Sequence, residues 1–176
     1  MGVLGLDLSL VGTGCIVIES NKVKLSRLIT SKPSGKKPID ELKRLLGIVD
    51  KIRSIIIKND IDLICIEGIA FMARNSGALS QLSGLNYLVR NIAYDDDVKF
   101  IIVPPTMLKK FVTGKGNCAK ELMLLETYKR YGISFSDNNL CDAYGLAKIA
   151  EAIVEKKEKL TKPQTEVIEK IKYQYE

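Results

Sequence analysis

Three carboxylates stand where a metal ion could be held. Asp7 follows an apolar, strand-like run and precedes a glycine-marked turn at residues 12–14. Glu67 ends the apolar run 62–67 in the same way, and Asp142 lies near the start of a helical pattern. Oxygen ligands gathered from two strands and a helix start suit a hard divalent cation. The three acids therefore predict a site for Mg²⁺, with Mn²⁺ as a substitute.

Such a site could cut a phosphodiester. Two ions about 3.5–4 Å apart can activate a water and stabilise the leaving oxygen of an in-line displacement. This chemistry needs no protein nucleophile, so a chain without histidine can still perform it. Each acid also has a structural alternative: Asp7 could cap a turn, Glu67 could form a buried ion pair, and Asp142 could stabilise a helix N-terminus.

The elements that must position these acids follow an α/β pattern. Strand-like runs at residues 3–8, 15–19 and 24–30 predict an antiparallel meander. A helical pattern at 42–59 before the buried strand 62–67 predicts a parallel crossover. The remaining elements are predicted at 79–92 (helix), 99–103 (strand), 105–112 (helix), 119–131 (helix) and 140–155 (helix). We expect a mixed five-stranded sheet, three antiparallel strands and then two parallel ones, flanked by helices.

Composition limits the class of protein. The chain has 176 residues, and we expect one domain over residues 1–155 and a charged C-terminal tail, with a short helix or partial disorder, at 156–176. The net charge of +6 favours a polyanionic partner. With no histidine and no C-x-x-C pair, a zinc site is not expected. No apolar run could cross a membrane and no leader segment is apparent, so we expect a cytoplasmic protein without a membrane partner.

Four segments, in order along the chain, carry a resemblance to a known family. They are Gly5-Leu6-Asp7 with Thr13-Gly14; Ile66-Glu67 with Phe71-Met72-Ala73-Arg74-Asn75 and Ala78-Leu79; Thr113-Gly114-Lys115-Gly116 with Lys120; and Cys141-Asp142-Ala143-Tyr144-Gly145-Leu146-Ala147. In these segments the chain resembles the RuvC-type Holliday-junction resolvases, which have the RNase H-like (retroviral integrase superfamily) fold. The resemblance covers about residues 1–154.

The resemblance implies an activity and residue roles. The family is a Mg²⁺-dependent homodimer that cuts two strands of a four-way DNA junction symmetrically, in recombination or repair. By this resemblance Asp7, Glu67 and Asp142 are metal ligands, and Lys120 or Lys115 contacts or polarises the scissile phosphate. A short chain rich in lysine and isoleucine suggests a phage or small bacterial source, and hence the cytoplasm of a bacterial cell.

One position departs from the family pattern. The usual fourth acid falls three residues before Asp142, where this chain has Asn139. Its amide oxygen can ligate Mg²⁺, but a neutral ligand holds the metal less tightly than a carboxylate. Asp137 is also near in sequence. It stands two residues before Asn139, however, and residues two apart on a helix face different sides. The chain could thus be an active nuclease, a weakened one or a junction-binding protein, and Asn139 could be natural or engineered.

Further residues are candidates for contact with DNA. Phe71 matches the place where the family stacks an aromatic ring on an unpaired base, a contact worth about 1–3 kcal/mol. Phe71 stands four residues after Glu67, one more than expected, and core or dimer packing is its alternative. The basic residues expected to neutralise phosphates are Lys32, Lys36, Lys37, Arg74, Lys109, Lys110, Lys115 and Lys120.

The helical pattern at 79–92 is the candidate dimer element. Its Leu79, Leu82, Ser83, Leu85 and Asn86 are expected to pack on a second copy across a two-fold axis, with packing inside one chain as the alternative. A more distant alternative is an actin-like or sugar-kinase ATPase, because residues 7–14 resemble the phosphate-binding turn of those RNase H-like relatives. Such enzymes need a second similar domain, for which 176 residues leave no room.

Overall fold

The computed structural model describes residues 2–69, 77–157 and 159–175. The strands in these ranges are β1 (Gly2–Asp7), β2 (Gly12–Glu19), β3 (Lys22–Thr30), β4 (Ile61–Glu67) and β5 (Lys99–Val103). The helices are α1 (Pro38–Asn59), α2 (Gly77–Asp95), α3 (Pro105–Thr113), α4 (Lys120–Tyr131), α5 (Asn138–Val154) and α6 (Lys162–Ile171), followed by a short 3-10 turn, Lys172–Gln174. In this part of the chain no helix has the length and apolar character needed to cross a membrane.

The strands form one mixed sheet in the order β3-β2-β1-β4-β5. The first three strands are antiparallel, β4 is parallel to β1, and β5 is parallel to β4. Helices α1 and α2 cover one face of the sheet, where Leu6, Val17 and Ile64 belong to their core. Helices α3, α4, α5 and α6 cover the other face, where Val3 and Ile16 belong to theirs. The predicted α/β class and mixed sheet are confirmed.

One local prediction was wrong. The run Gly12-Thr13-Gly14 was expected to form the turn between the first two strands, but it belongs to β2. Gly12 pairs with Thr30, and Gly14 pairs with Asp7. The turn is made earlier, by Ser9, whose carbonyl accepts from the Thr13 hydroxyl at 2.8 Å and whose N–H donates to Thr13 Oγ1 at 3.1 Å. These two hydrogen bonds close the turn without a glycine in it.

Helix α5 lies directly on the backbone of β1 and β2. A Cβ atom at Gly5 would lie 2.0 Å from the carbonyl oxygen of Ala143 and 2.5 Å from the nitrogen of Ala147. A Cβ at Gly14 would lie 2.2 Å from the carbonyl oxygen of Asn139. No side chain fits in these gaps, so the two glycines allow the helix to approach the sheet this closely. This approach sets the height of α5 above the end of β1.

The C-terminal segment contains the short helix α6, which packs on the main core. Val167, Ile168 and Ile171 are buried in the same cluster as residues of α3 and α5. Beyond the helix, Gln174 accepts from the N–H of Ile102 at 3.0 Å and donates to its carbonyl at 3.2 Å. The segment therefore covers part of the exposed edge of β5. The division of the chain at residue 155 stays a prediction.

Candidate active site

Asp7 and Glu67 meet at one edge of the sheet. β1 and β4 are parallel neighbours whose register pairs Leu6 with Ile66, and Asp7 and Glu67 are the next residues of the two strands. Their carboxyl groups are close enough to share a hydrogen bond. Because adjacent parallel strands end at the same edge of a sheet, the chain brings together two acids that lie 60 positions apart in sequence.

Asp142 reaches the same place from α5. The helix begins after Asp137, whose Oδ1 accepts from the backbone N–H groups of Asn139 at 2.8 Å and Leu140 at 3.2 Å. Asp137 thus caps the N-terminus of α5 through its Oδ1 atom. Asp142 lies one turn further on, and its charge raises the pKa of Asp7. The three predicted acids thus form one cluster.

The cluster holds protons more tightly than isolated carboxyl groups do. The pKa of Asp7 is raised to about 9. Burial is the largest cause, followed by repulsion from the charge of Glu67 and then from that of Asp142. Burial and then the charge of Glu67 raise the pKa of Asp142 to about 6. Burial also raises the pKa of Glu67, while the hydrogen bond to Asp7 and the charges of Lys109 and Lys120 oppose that rise. The acids repel one another, and the two lysines relieve only part of that repulsion.

The donor set fits a divalent cation in its chemistry. Within residues 2–69, 77–157 and 159–175, no three Asp, Glu, Cys or His side chains already surround one coordination point. The carboxyl groups of Asp7 and Glu67 are instead close enough to share a proton. A cation among the three carboxylates would replace the proton they share and cancel their repulsion.

Asn139 lies one helical turn before Asp142. Its Nδ2 donates a hydrogen bond of 2.7 Å to the carbonyl oxygen of Gly12 in β2. The amide nitrogen therefore faces the sheet, and the amide oxygen is the atom left for other partners. The expectation that Asn139 ligates the metal stays a prediction.

The sequence matches a family model over most of its length. The model describes crossover junction endodeoxyribonuclease RuvC, and it matches residues 3–128. The chain belongs to the RuvC family. The matched range contains Asp7, Glu67 and Lys120, and it ends before Asn139 and Asp142. The resemblance to RuvC-type resolvases is confirmed, and family membership supports a junction-cleaving nuclease over the kinase-like alternative.

Solved structures share the fold. Thermus thermophilus RuvC matches with a TM-score of 0.72 and 18% identity, covering 92% of this chain and all of that one. T. thermophilus RuvC in complex with a Holliday junction substrate matches with a TM-score of 0.71 and 19% identity, covering 84% of this chain and 90% of the other. A fowlpox virus resolvase in complex with Holliday junction DNA matches with a TM-score of 0.52 and 13% identity, covering 88% of this chain and 99% of the other. At these identities the matches establish the RNase H-like fold. No curated protein gives a significant sequence match.

The predicted DNA-binding lysines of this RuvC-family chain have different surroundings. Lys109 of α3 and Lys120, the first residue of α4, act electrostatically on the acid cluster. Lys115 is exposed in the loop between these helices. Lys110 instead forms an ion pair with Glu166 of α6 at 2.5 Å, which neutralises part of its charge.

The other basic candidates lie in a separate loop or outside the described residues. Lys32, Lys36 and Lys37 belong to the loop after β3. Thr30, the last residue of β3, pairs with Gly12. That pairing places the start of the loop at the same edge of the sheet as the acid cluster. Phe71 and Arg74 fall outside the described residues, and their roles stay predictions.

Arg44 is a residue that the sequence did not single out. Its Nε donates to the Ser31 hydroxyl at 2.9 Å, and its Nη2 donates to the carbonyl of Leu10. The Ser31 hydroxyl also donates to Leu10, at 2.6 Å. Arg44 thus ties α1 to the turn that follows Asp7. No local pattern distinguishes this arginine from the other charged residues of α1.

Helix α2 contributes to the core of the single chain. Leu85 and Asn86 are buried inside the chain, and the Asn86 Nδ2 lies 3.5 Å from the Glu67 carbonyl. Leu82 and Ser83 are half-buried. Tyr87, which is 67% exposed, points outward from α2. Intrachain packing therefore accounts for Leu85 and Asn86.

Proposed function

We propose that this chain is a divalent-metal-dependent endonuclease that cuts branched DNA, with the four-way junction as its main substrate. The observation that carries the proposal is the cluster of Asp7, Glu67 and Asp142 at the end of the sheet in a RuvC-family chain. Matched structures described as complexes with Holliday junction DNA support the choice of substrate. Its place would be the cytoplasm, in recombination or repair.

The three carboxylates would hold Mg²⁺, with Mn²⁺ as a substitute and two ions as the full complement. Bound metal supplies positive charge at the scissile phosphate and activates a water for attack. Asp7 and Glu67 supply oxygens from rigid strand ends, and Asp142 supplies oxygens from the first turns of α5. The ammonium groups of Lys109 and Lys120 lie within electrostatic reach of the cluster, where they would bind phosphate oxygens and orient the DNA strand.

The surroundings of the cluster would bind the junction arms. Lys115 stands between the helices that carry Lys109 and Lys120, and Lys36 and Lys37 belong to the loop after β3. Contacts to phosphates recognise the shape of the DNA backbone and need no base readout. We also assign Phe71 and Arg74 to the segment that enters the junction, Phe71 by stacking and Arg74 by phosphate contact.

A homodimer would present two such sites to the two strands of a two-fold junction. The helical layer of α1 and α2 has apolar side chains on its outer surface, which supports an interface there. Ile39, Leu42 and Leu46 recur on one side of α1 and are each at least 40% exposed, and Tyr87 stands out from α2. Exposed apolar side chains grouped on one layer are typical of a protein interface.

A junction-binding protein without nuclease activity is the second candidate, because Asn139 stands where the family usually has an acid. Cleavage of a synthetic four-way junction in Mg²⁺ or Mn²⁺, beside a linear duplex of the same sequence, separates the two. We expect symmetric nicks in the junction only, no cutting in EDTA, and no cutting by an Asp7→Asn variant. Tight binding of the junction without nicks in either metal would favour the binding protein.

A further inference from the structure

Asn139 makes a long-range contact that an aspartate could not make. Its Nδ2 donates to the carbonyl oxygen of Gly12 over 2.7 Å, across a separation of 127 residues. A carboxylate has two acceptor oxygens and no proton to donate at neutral pH. An aspartate in this position would set a negative oxygen against the carbonyl oxygen of Gly12. The chain therefore has a donor at the position where the family pattern has a charged acceptor.

The surroundings of Asn139 are built closely around it. Its backbone carbonyl oxygen lies 2.2 Å from where a Cβ of Gly14 would stand, and its Nδ2 lies 3.5 Å from where a Cβ of Gly12 would stand. Asn139 therefore packs on β2 at Gly12 and Gly14, two residues without side chains. Its backbone N–H is also fixed, by the Asp137 carboxylate at 2.8 Å. Main chain and side chain of Asn139 together hold the first turn of α5 on the strand.

Asn139 and Asp142 lie one turn apart on α5. Residues three apart on a helix share a face, so Asn139 on β2 puts Asp142 one turn along, over the end of β1. Asp7, at that end, pairs with Gly14. The contact of Asn139 with β2 and the position of Asp142 beside Asp7 are thus set by the same turn of helix.

We propose that Asn139 is a positioning residue whose amide donor, bonded to Gly12, holds α5 so that Asp142 meets Asp7 and Glu67. The metal site of this chain then works with three carboxylates, and Asn139 is not a disabled acid. The inference rests on the proposed metal-dependent nuclease function. It differs from the ligand role because a ligand would act through the amide oxygen and this role acts through the amide nitrogen.

Two variants separate the roles. Asn139→Ala removes both amide atoms, and Asn139→Asp removes the donor but adds a charged oxygen. A positioning role predicts that both variants lose about tenfold in kcat for junction cleavage, with KM for the junction unchanged, because both lose one hydrogen bond. Raising the Mn²⁺ concentration should rescue neither. A ligand role predicts that Asn139→Asp is the most active of the three proteins.

Two measurements decide the point without cleavage. Mn²⁺ affinity, followed by the electron paramagnetic resonance signal of free Mn²⁺, should not tighten in Asn139→Asp. Hydrogen exchange of residues 8–13 should be faster in both variants than in the original chain. Tenfold tighter Mn²⁺ binding by Asn139→Asp with unchanged exchange would overturn the inference. If the original chain binds Mn²⁺ and the exchange pattern holds but no junction is cut, the proposed nuclease function fails while the positioning role stands.

Discussion

The carboxyl groups of Asp7 and Glu67, which end neighbouring parallel strands, are close enough to share a hydrogen bond. Two carboxyl groups can share a hydrogen bond only when one of them carries a proton. Burial and the neighbouring charges keep that proton in place and raise the pKa of Asp7 to about 9. Without metal, the cluster is therefore a proton-binding site at neutral pH, and a divalent cation that bound there would have to displace that proton.

The first prediction concerns stability without metal. The pKa of Asp7 rises from its ordinary 3.8 to about 9, and that of Asp142 from 3.8 to about 6. Between pH 3.8 and about pH 9 the folded chain therefore binds more protons than the unfolded chain, so the free energy of unfolding must fall as pH rises. Thermal unfolding in EDTA should show Tm decreasing from pH 5 to pH 9. Asp7→Asn should flatten this decrease and raise Tm at pH 8 by about 4 °C.

Metal should reverse the trend. At pH 8, Mg²⁺ or Mn²⁺ should raise the Tm of the original chain by binding the folded form only. Asp7→Asn removes one of the three carboxylates, so its Tm should respond weakly to either ion. A Tm that is constant across this pH range in EDTA, or one that Mn²⁺ leaves unchanged, would contradict the description of the cluster as a metal site with a displaceable proton.

A second prediction tests the close approach of α5 to the sheet. Gly5→Ala would place a Cβ 2.0 Å from the carbonyl oxygen of Ala143, so the helix must move off β1. We expect a loss of about 3 kcal/mol in the free energy of unfolding, since overpacking of this kind typically costs 1–3 kcal/mol or more. Junction cleavage by the folded variant should also fall, because Asp142 moves with the helix.

The matched control is Gly47→Ala. Gly47 is exposed on α1, and a Cβ there would meet no atom within 4 Å. Alanine is favoured over glycine in a helix by about 1 kcal/mol, so this variant should be slightly more stable and equally active. Denaturant unfolding of both variants gives the comparison. Equal stability of the two would show that β1 and α5 are not in close contact at Gly5.

The sequence predicts the sheet and the helices because those depend on local periods of apolar residues. The same reasoning places Asp7 and Glu67 side by side, since parallel strands joined by a crossover helix end at the same edge. It fails at Gly12 and Gly14, because both belong to β2 and not to a turn, and Gly14 provides the space into which α5 packs. Space for a distant helix leaves no trace in the local pattern.

The contacts of Asn139 and Arg44 are beyond sequence reasoning for a similar reason. Asn139 bonds to Gly12 across 127 positions, and Arg44 bonds to Leu10 across 34. Each depends on how a helix is seated on the sheet, which the spacing of residues does not determine. The sequence therefore names the acids of the site but not the groups that hold them in place.

A third prediction separates two neighbouring lysines. Lys115 is exposed, whereas Lys110 is paired with Glu166 at 2.5 Å. If Lys115 neutralises a phosphate, Lys115→Ala should make the slope of log K against log salt less negative by about 0.9. Lys110→Ala should change that slope much less, because Glu166 already partly neutralises Lys110. Junction binding measured by fluorescence anisotropy over a series of salt concentrations checks both. Equal slope changes would mean that Lys110 leaves Glu166 to bind DNA.

The last prediction concerns the C-terminal helix. Ile171 is 1% exposed and belongs to the core shared by α3, α5 and α6. Ile171→Ala should lower the free energy of unfolding by about 2–4 kcal/mol, through the lost apolar contacts and the cavity left behind. Tyr173→Ala, two residues on and 70% exposed, should change it by less than about 0.5 kcal/mol. Denaturant unfolding measures both. If α6 were only a charged tail, the two substitutions would have equally small effects, whereas a loss confined to Ile171→Ala makes the helix part of the nuclease core.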